Sequence, residues 1–362
     1  MNICFFISDV TSCGGTERIS FQVANHLHAV GHNVCFISWT KTNENVFFDL
    51  DQDIAVLPLS EKFKPYQIFS NLYSLRKLLK SKNIDLLIDV DTVLTPYSII
   101  SKAGLSIKHI AWEHFNASIN LGVARRDYGR RLAAALADLS IVLTKEDKAQ
   151  WLSRFRIRKN IVHIYNPVTV ACADDIVPIR EKKVILAVGR LAEQKGFDLL
   201  LTAWAAIDQK IRSSALLRIV GEGERKPELM ALAAELNIAD EIEFYGKSSD
   251  IERLYREAYA YVLSSRYEGF VLTLTEAMAS GLPVISFDCP CGPKELLVDE
   301  AGILVPFADI SALSQEISGL LTDEVRRNNI AHRCLERSRD FSGDAIMKEW
   351  EIVIEGLRRG EI

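Results

Sequence analysis

The 362-residue sequence has no stretch approaching the roughly 18 consecutive apolar residues that a membrane-crossing helix needs. Nothing in it is expected to span a bilayer. It also lacks any Cys-x-x-Cys pair: its seven cysteines (Cys4, Cys13, Cys35, Cys172, Cys289, Cys291 and Cys334) are odd in number and scattered. That argues against a disulfide framework and a zinc site, and free thiols are expected. No basic stripe interleaved with aromatics of the nucleic-acid-binding kind is present, so nucleic acid is not an expected partner. No internal repeat and no low-complexity tract interrupts the chain. The opening Asn2-Ile3-Cys4-Phe5-Phe6-Ile7-Ser8 has neither a basic leader nor a small-residue cleavage site. It reads as a first buried strand rather than a signal peptide, and the expected location is cytoplasmic.

What is present is the composition of a folded protein, 48% apolar and 25% charged. The length suits two domains of about 150 to 200 residues each. The net charge of −5 is unevenly spread: residues 1–173 hold 20 basic and 15 acidic side chains, and residues 174–362 hold 23 and 33. A mildly basic first half suits an anionic acceptor or anionic lipid.

Apolar runs of strand length alternate with amphipathic helix-length stretches, the pattern of parallel βαβ units. In the first half strands are expected at 3–8, 33–38, 54–58, 86–90, 109–112 and 139–143, with helices such as 17–30 and 71–81. A second series runs at 184–188, 216–220, 242–245, 260–263, 284–287 and 302–305. Pro167 and Pro178 bracket a polar segment read as the interdomain linker. Apolar Ile346, Met347, Trp350, Ile352, Val353 and Leu357 mark a terminal helix. The expected division is an N-terminal domain 1–167, a C-terminal domain 168–341, and a final helix 342–362 returning towards the first domain. The fold class is α/β, two doubly wound, Rossmann-like parallel-sheet domains whose strand ends face one shared cleft.

The most informative segment is Tyr267-Glu268-Gly269-Phe270-Val271-Leu272-Thr273-Leu274-Thr275-Glu276-Ala277-Met278-Ala279-Ser280-Gly281-Leu282-Pro283. A glycine turn leads into a helix over 272–280, which Gly281 stops. The helix N-terminus is a ready anion site, and Gly269 lets a phosphate approach closely. Glu268 in the loop and Glu276 within the helix can flank one elongated ligand and accept hydrogen bonds from vicinal hydroxyls. After the second domain's first strand, Gly189-Arg190-Leu191-Ala192-Glu193-Gln194-Lys195-Gly196 adds two cations able to meet the same diphosphate. Fixed cations would stabilise a departing nucleoside diphosphate in place of a metal ion.

Together with the Gly14-Gly15-Thr16-Glu17-Arg18 loop, the Glu113-His114 pair and Val220-Gly221-Glu222-Gly223, these segments resemble the family-4 group of retaining, GT-B-fold glycosyltransferases over essentially the whole chain. The resemblance implies that Glu276 holds the donor's ribose and Glu268 lies by the donor sugar. Arg190 and Lys195 would hold the diphosphate, with the backbone amides of Phe270, Val271 and Leu272 completing the cradle. Gly15 would let the first domain's helix approach the reaction centre, His114 would hydrogen-bond the transferred sugar, and the strand end at Gly246 would line the base. The expected catalytic set is therefore His114, Glu268, Arg190 and Lys195, and no metal and no separate cofactor are expected. The resemblance implies transfer of a hexose or N-acetylhexosamine from a nucleotide diphosphate sugar, with UDP the expected nucleotide. The implied acceptor is a saccharide, carried on a lipid, in bacterial surface polysaccharide or glycan assembly.

Three readings stay open in the sequence. Asp89-Val90-Asp91 ends an apolar strand, and it either binds a divalent cation, as Asp-x-Asp does elsewhere, or offers carboxylates to an acceptor. The stretch from Lys62-Phe63-Lys64-Pro65-Tyr66 to Lys80-Ser81-Lys82 either docks on an anionic membrane, the cytoplasmic face of the inner membrane, or packs on its own sheet. Arg125-Arg126 and Arg130-Arg131 either meet an acceptor pyrophosphate or are solvated. At the level of activity, a nucleotide-sugar epimerase or hydrolase of the same fold, or a non-catalytic nucleotide-sugar binding protein, is the alternative.

Overall fold

The computed structural model describes residues 1–62, 64–120 and 122–362. The chain divides into two compact units, Met1–Pro167 with Ile346–Ile362 (unit 1) and Val168–Ala345 (unit 2).

Unit 1 is built on a seven-stranded sheet of β1 (Asn2–Asp9), β2 (Asn33–Thr40), β3 (Ala55–Pro58), β4 (Leu86–Val90), β5 (Lys108–Trp112), β6 (Leu139–Val142) and β7 (Asn160–His163), in the spatial order β3-β2-β1-β4-β5-β6-β7. All its ladders are parallel. Its helices are α1 (Gly15–Ala29), α2 (Ile68–Ser81), α3 (Thr95–Lys102), α4 (Ala124–Leu136) and α5 (Lys145–Arg154). The central strands are buried on both faces, which is why they read as continuous apolar runs rather than alternating ones. Unit 2 repeats the plan with β8 (Lys183–Val188), β9 (Ala215–Val220), β10 (Ile242–Gly246), β11 (Ala260–Leu263), β12 (Val284–Phe287) and β13 (Ile303–Val305), ordered β10-β9-β8-β11-β12-β13 and parallel throughout. The helices of this half are α6 (Phe197–Ala205), α7 (Gln209–Arg212), α8 (Lys226–Glu235), α9 (Ile251–Glu257), α10 (Leu272–Ala279), α11 (Pro293–Leu296), α12 (Ile310–Thr322) and α13 (Glu324–Ser338). The final α14 (Gly343–Arg359) lies almost wholly in unit 1, where Trp350 meets Trp112 edge to face at 4.6 Å between ring centroids.

In each sheet the strand order reverses direction once, between β1 and β4 and between β8 and β11. Ligands of doubly wound sheets sit beyond the carboxyl ends of the strands at such a reversal. The topology therefore singles out the loops after β1 and β4 in unit 1, and after β8 and β11 in unit 2.

Two local expectations differ from the structure. Strand β7 was not expected; it is four residues long and lies at the sheet edge with Asn160 exposed, too short and too polar to register as an apolar run. The segment between Pro167 and Pro178 is not a loose linker. It is strapped onto unit 2 by Ala173 N–H to Ala279 O (2.8 Å), Val177 N–H to Gly281 O (3.0 Å) and the buried Arg327 guanidinium to Val177 O (2.8 Å). Phe63, part of the lysine and aromatic stretch, lies outside the described residues.

Candidate active site

In unit 2 three loops close on one another at the strand ends. Gly221 has φ +143, and a Cβ there would stand 1.9 Å from the Gly189 carbonyl oxygen; Gly196 has φ +61, and its Cβ would stand 2.1 Å from Ser264 O. Only glycine fits either position. The loops after β8, β9 and β11 are thereby held in backbone contact, and the side chains between them are placed by that contact.

Lys195 ends the short 3-10 turn after β8 and donates from Nζ to Glu268 Oε1 at 2.7 Å. The Ser265 hydroxyl donates to the same oxygen at 2.5 Å. Glu268 is nearly buried, so its charge is matched by Lys195 rather than by water. Glu276 lies one turn into α10 and is buried; Tyr255 Oη donates to its Oε2 at 2.9 Å, and the Thr169 hydroxyl donates to its Oε1. Helix α10 starts at Leu272, as expected, but the Leu272 amide is engaged by the Phe270 carbonyl at 3.2 Å. Gly269 and Gly246 sit at the expected turns, Gly246 with φ +83 at the end of β10.

Arg190 is not drawn onto this cluster. Its side chain is 73% exposed and pairs with Glu224 at 3.0 Å. An exposed pair of this kind is worth about 0 to 1 kcal/mol, so an anion bound nearby can compete for the guanidinium.

In unit 1 Gly15 is the first residue of α1, directly after the β1 loop. His114 follows β5, almost buried, with its ring 4.3 Å from that of Trp112. Burial, reinforced by the Arg126 charge, pushes the imidazole down to about 3, so it is uncharged at neutral pH. Its Nε2 is buried with no hydrogen-bond partner among the described residues. The preceding Glu113 is fully buried and accepts from Arg130 Nε (2.8 Å), the Thr92 hydroxyl (2.6 Å) and the Phe115 amide (3.0 Å), which fixes the loop carrying His114.

The two aspartates of β4 separate. Asp89 is fully buried, bonded to His109 Nε2 at 2.7 Å and to the Ser98 hydroxyl. The strand carries it into the core, where His109 and Ser98 engage its two oxygens, so it does not form a pair with Asp91; the paired Asp-x-Asp role is corrected on that ground. Asp91 leaves the strand with φ +92 and binds Arg126 Nη1 at 2.7 Å. Burial and the Glu113 charge raise its carboxyl to about 6 against the opposing pull of Arg126. The one group of three side chains close enough together to share a metal ion among the described residues is His28, Asp51 and Asp53, just before β3.

Residues that the sequence did not single out complete both clusters: Tyr255, Thr169 and Ser265 in unit 2, Asp147 in unit 1; Arg130, expected to meet an acceptor pyrophosphate or to be solvated, is instead fully buried against Glu113. Asp147 is buried and accepts from the Ala117 amide at 2.7 Å, while its other oxygen has no partner among the described residues. Burial, with the Glu113 charge adding, raises it to about 7 from the ordinary 3.8. A raised carboxyl stabilises the fold fully below pH 3.8, and this contribution is lost as pH rises through about 7. Asp147→Asn, which keeps the amide's acceptor, is therefore expected to gain stability over the native protein as pH rises from 4 to 8, by up to about 4 kcal/mol at the upper end. Urea denaturation at the two pH values measures it; an equal difference at both contradicts it.

Residues 174–340 match the family described as Glycosyl transferases group 1, and residues 13–171 match Glycosyltransferase Family 4. An uncharacterized glycosyltransferase of Haemophilus influenzae is 33% identical over 97% of this chain and 99% of its own. The chain belongs to glycosyltransferase family 4. Another relative of this glycosyltransferase, 27% identical over 97% of each chain, is an α-1,4-N-acetyl-D-galactosaminyltransferase of Campylobacter jejuni whose named acceptor is a GalNAc-containing saccharide on PP-undecaprenol. Among solved structures, an Anabaena protein in complex with UDP superposes with a TM-score of 0.81 at 17% identity, covering 98% of this chain and all of that one. At that identity the likeness concerns the fold, which is GT-B.

Proposed function

We propose that this glycosyltransferase transfers a hexose or N-acetylhexosamine, with retention of anomeric configuration and without a metal ion, from a UDP-sugar to a saccharide acceptor carried on a lipid. The setting is the assembly of a bacterial surface polysaccharide or lipid-linked glycan. The observation that carries this reading is the unit 2 cluster at the sheet's reversal point: the Lys195–Glu268 pair at 2.7 Å, with Glu276, one turn into α10, held by Tyr255 and Thr169. The complex of the Anabaena protein with UDP and the lipid-borne acceptor of the Campylobacter enzyme support the donor and acceptor classes.

Glu276 accepts hydrogen bonds from the ribose hydroxyls. Lys195, the N-terminus of α10 and a recruited Arg190 take up the charge that grows on the diphosphate as the bond from the sugar's anomeric carbon to phosphate breaks. The acceptor oxygen bonds to the same face of that carbon, and its proton passes to the departing phosphate. Glu268, already paired with Lys195, orients the sugar by its hydroxyls. Neutral His114 offers a hydrogen bond to a sugar hydroxyl without adding charge. The test is proton NMR of the product first formed from an α-linked UDP-sugar with a lipid-linked acceptor extract, across UDP-, GDP- and ADP-sugars. An α-linked product from one UDP-sugar is expected; a β-linked product contradicts retention, and hydrolysed sugar without transfer contradicts the transferase reading.

No helix among the described residues is long and apolar enough to cross a membrane, and a lipid-borne acceptor would then be met at the bilayer surface. Tyr66, in the 3-10 turn before α2, and Phe69 and Tyr73 are 77%, 84% and 71% exposed, and Phe69 and Tyr73 with exposed Lys77 and Lys80 form one stripe on the face of α2 opposite buried Leu75 and Leu79. No acidic residue occurs between Pro65 and Lys82. Aromatics beside lysines fit an anionic bilayer surface, each lysine contributing about 1 kcal/mol there. Phe69→Ser with Tyr73→Ser is expected to cut sedimentation with phosphatidylglycerol-containing vesicles at least tenfold; unchanged sedimentation removes the surface from the account.

A further inference from the structure

We propose that a cavity at the carboxyl ends of β1 and β2 in unit 1 is an acceptor subsite. It seats one hexose ring against Tyr97 and the small exposed part of Trp39 and pairs an anionic substituent of that sugar with Arg125. The inference rests on the transferase reading and names the chemistry of its acceptor. The cavity, about 180 Å³, is lined by Ser8 and Thr40 at the two strand ends, Val93 and Leu94 after β4, Tyr97 of α3, and Arg125 of α4, with Trp39. That is below the range of about 300–1,000 Å³ usual for drug-sized ligands, and suits a single monosaccharide ring.

The floor is aromatic and firmly seated. Trp39 lies 4.4 Å from Tyr97 between ring centroids and is backed by Phe6 at 6.1 Å. Trp39 is only 5% exposed, so the half-buried Tyr97 is the ring whose face, carrying partial negative charge, meets the C–H face of a pyranose. The Trp39 indole N–H and the Tyr97 hydroxyl take part in no hydrogen bond among the described residues, which leaves both to sugar hydroxyls.

The wall supplies the charge. Of the arginines in the first half of α4, Arg126 is bound to Asp91 at 2.7 Å and Arg130 to Glu113 at 2.8 Å. Arg125 is exposed, lines the cavity and forms no ion pair among the described residues. An unpaired guanidinium beside an aromatic floor favours a sugar carrying phosphate or carboxylate over a neutral one. The neighbouring Asp91–Arg126 pair places a carboxylate with its pKa raised to about 6 next to the same wall.

The test is fluorine NMR of the full chain labelled with 5-fluorotryptophan, the Trp39 resonance being assigned through Trp39→Phe. Probes are hexose 1-phosphates of the gluco, galacto, manno and N-acetylgluco series, the matching hexuronic acids, methyl glycosides and inorganic phosphate. At least one anionic hexose is expected to shift the Trp39 signal saturably and at least fivefold more tightly than its methyl glycoside. Arg125→Ala is expected to abolish that preference; the 1-phosphate and uronic acid arms distinguish the two anions. Failure of every anionic hexose to move Trp39, a preference surviving Arg125→Ala, or the same shift from inorganic phosphate alone overturns the subsite. UDP titrated into the same samples should bind Arg125→Ala as it binds the native chain. UDP that fails to bind the native chain counts against the donor reading, separately from the sugar arms.

Discussion

Lys195→Ala is expected to lower kcat about 10²- to 10³-fold, the usual loss when one fixed electrostatic group is removed from a developing charge. The donor's KM should change far less, because the charge on the diphosphate grows as the bond breaks and Lys195 gains most in the transition state. The substitution also removes the one ammonium paired with the nearly buried Glu268, whose Oε1 still accepts from the Ser265 hydroxyl at 2.5 Å. A loss caused only by that stranded charge would be restored by adding Glu268→Gln. A loss caused by the missing cation would persist in the double variant. Retention of more than a tenth of native kcat in Lys195→Ala would contradict the assignment.

Arg130→Met is expected to destabilise unit 1 by about 3–5 kcal/mol, since it removes the hydrogen-bonded cation of a fully buried Glu113 carboxylate and leaves only Arg126, 4.0 Å away and already bound to Asp91. Arg130 also donates to the Ile119 carbonyl at 3.0 Å, so the loss reaches both sides of the loop that holds His114. Replacing both partners, Glu113→Gln with Arg130→Met, should recover most of the stability, because a buried ion pair exchanged for uncharged groups costs little. Chemical denaturation of the two variants measures it, and a double variant as unstable as the single one contradicts the account. Recovery of stability without recovery of activity would show that Glu113 and Arg130 serve to position His114.

Much of the fold was legible because parallel sheets covered on both faces leave apolar runs such as Leu86-Leu87-Ile88, and because glycines at Gly196 and Gly221 mark loops that only a bare backbone can form. Edge strand β7 left no such run. Glu268 and Lys195, 73 residues apart in sequence, were expected near one ligand, and the structure places them in direct contact. The partners of Glu276 were illegible, since Tyr255 lies on α9 and Thr169 in the strap before β8, and neither spacing nor residue type marks them. Asp89 and Asp91 looked equivalent in sequence. The positive φ at Asp91 and the His109 and Ser98 contacts of Asp89 separate them, and both arise only when β4, β5 and α3 pack. Arg190 stands out as a loop cation, yet its exposure lets Glu224 hold it, a weak pairing that no sequence pattern announces.

The most direct measurement is nucleotide release from UDP-sugars in EDTA, with and without a lipid-linked acceptor extract, for the native chain, Glu276→Ala and Lys195→Ala. Acceptor-dependent UDP release by the native chain in EDTA, reduced at least a hundredfold in both variants, is the predicted result. Release that requires added Mg²⁺ or Mn²⁺, or that survives in Glu276→Ala, would contradict a metal-independent transferase built on the unit 2 cluster.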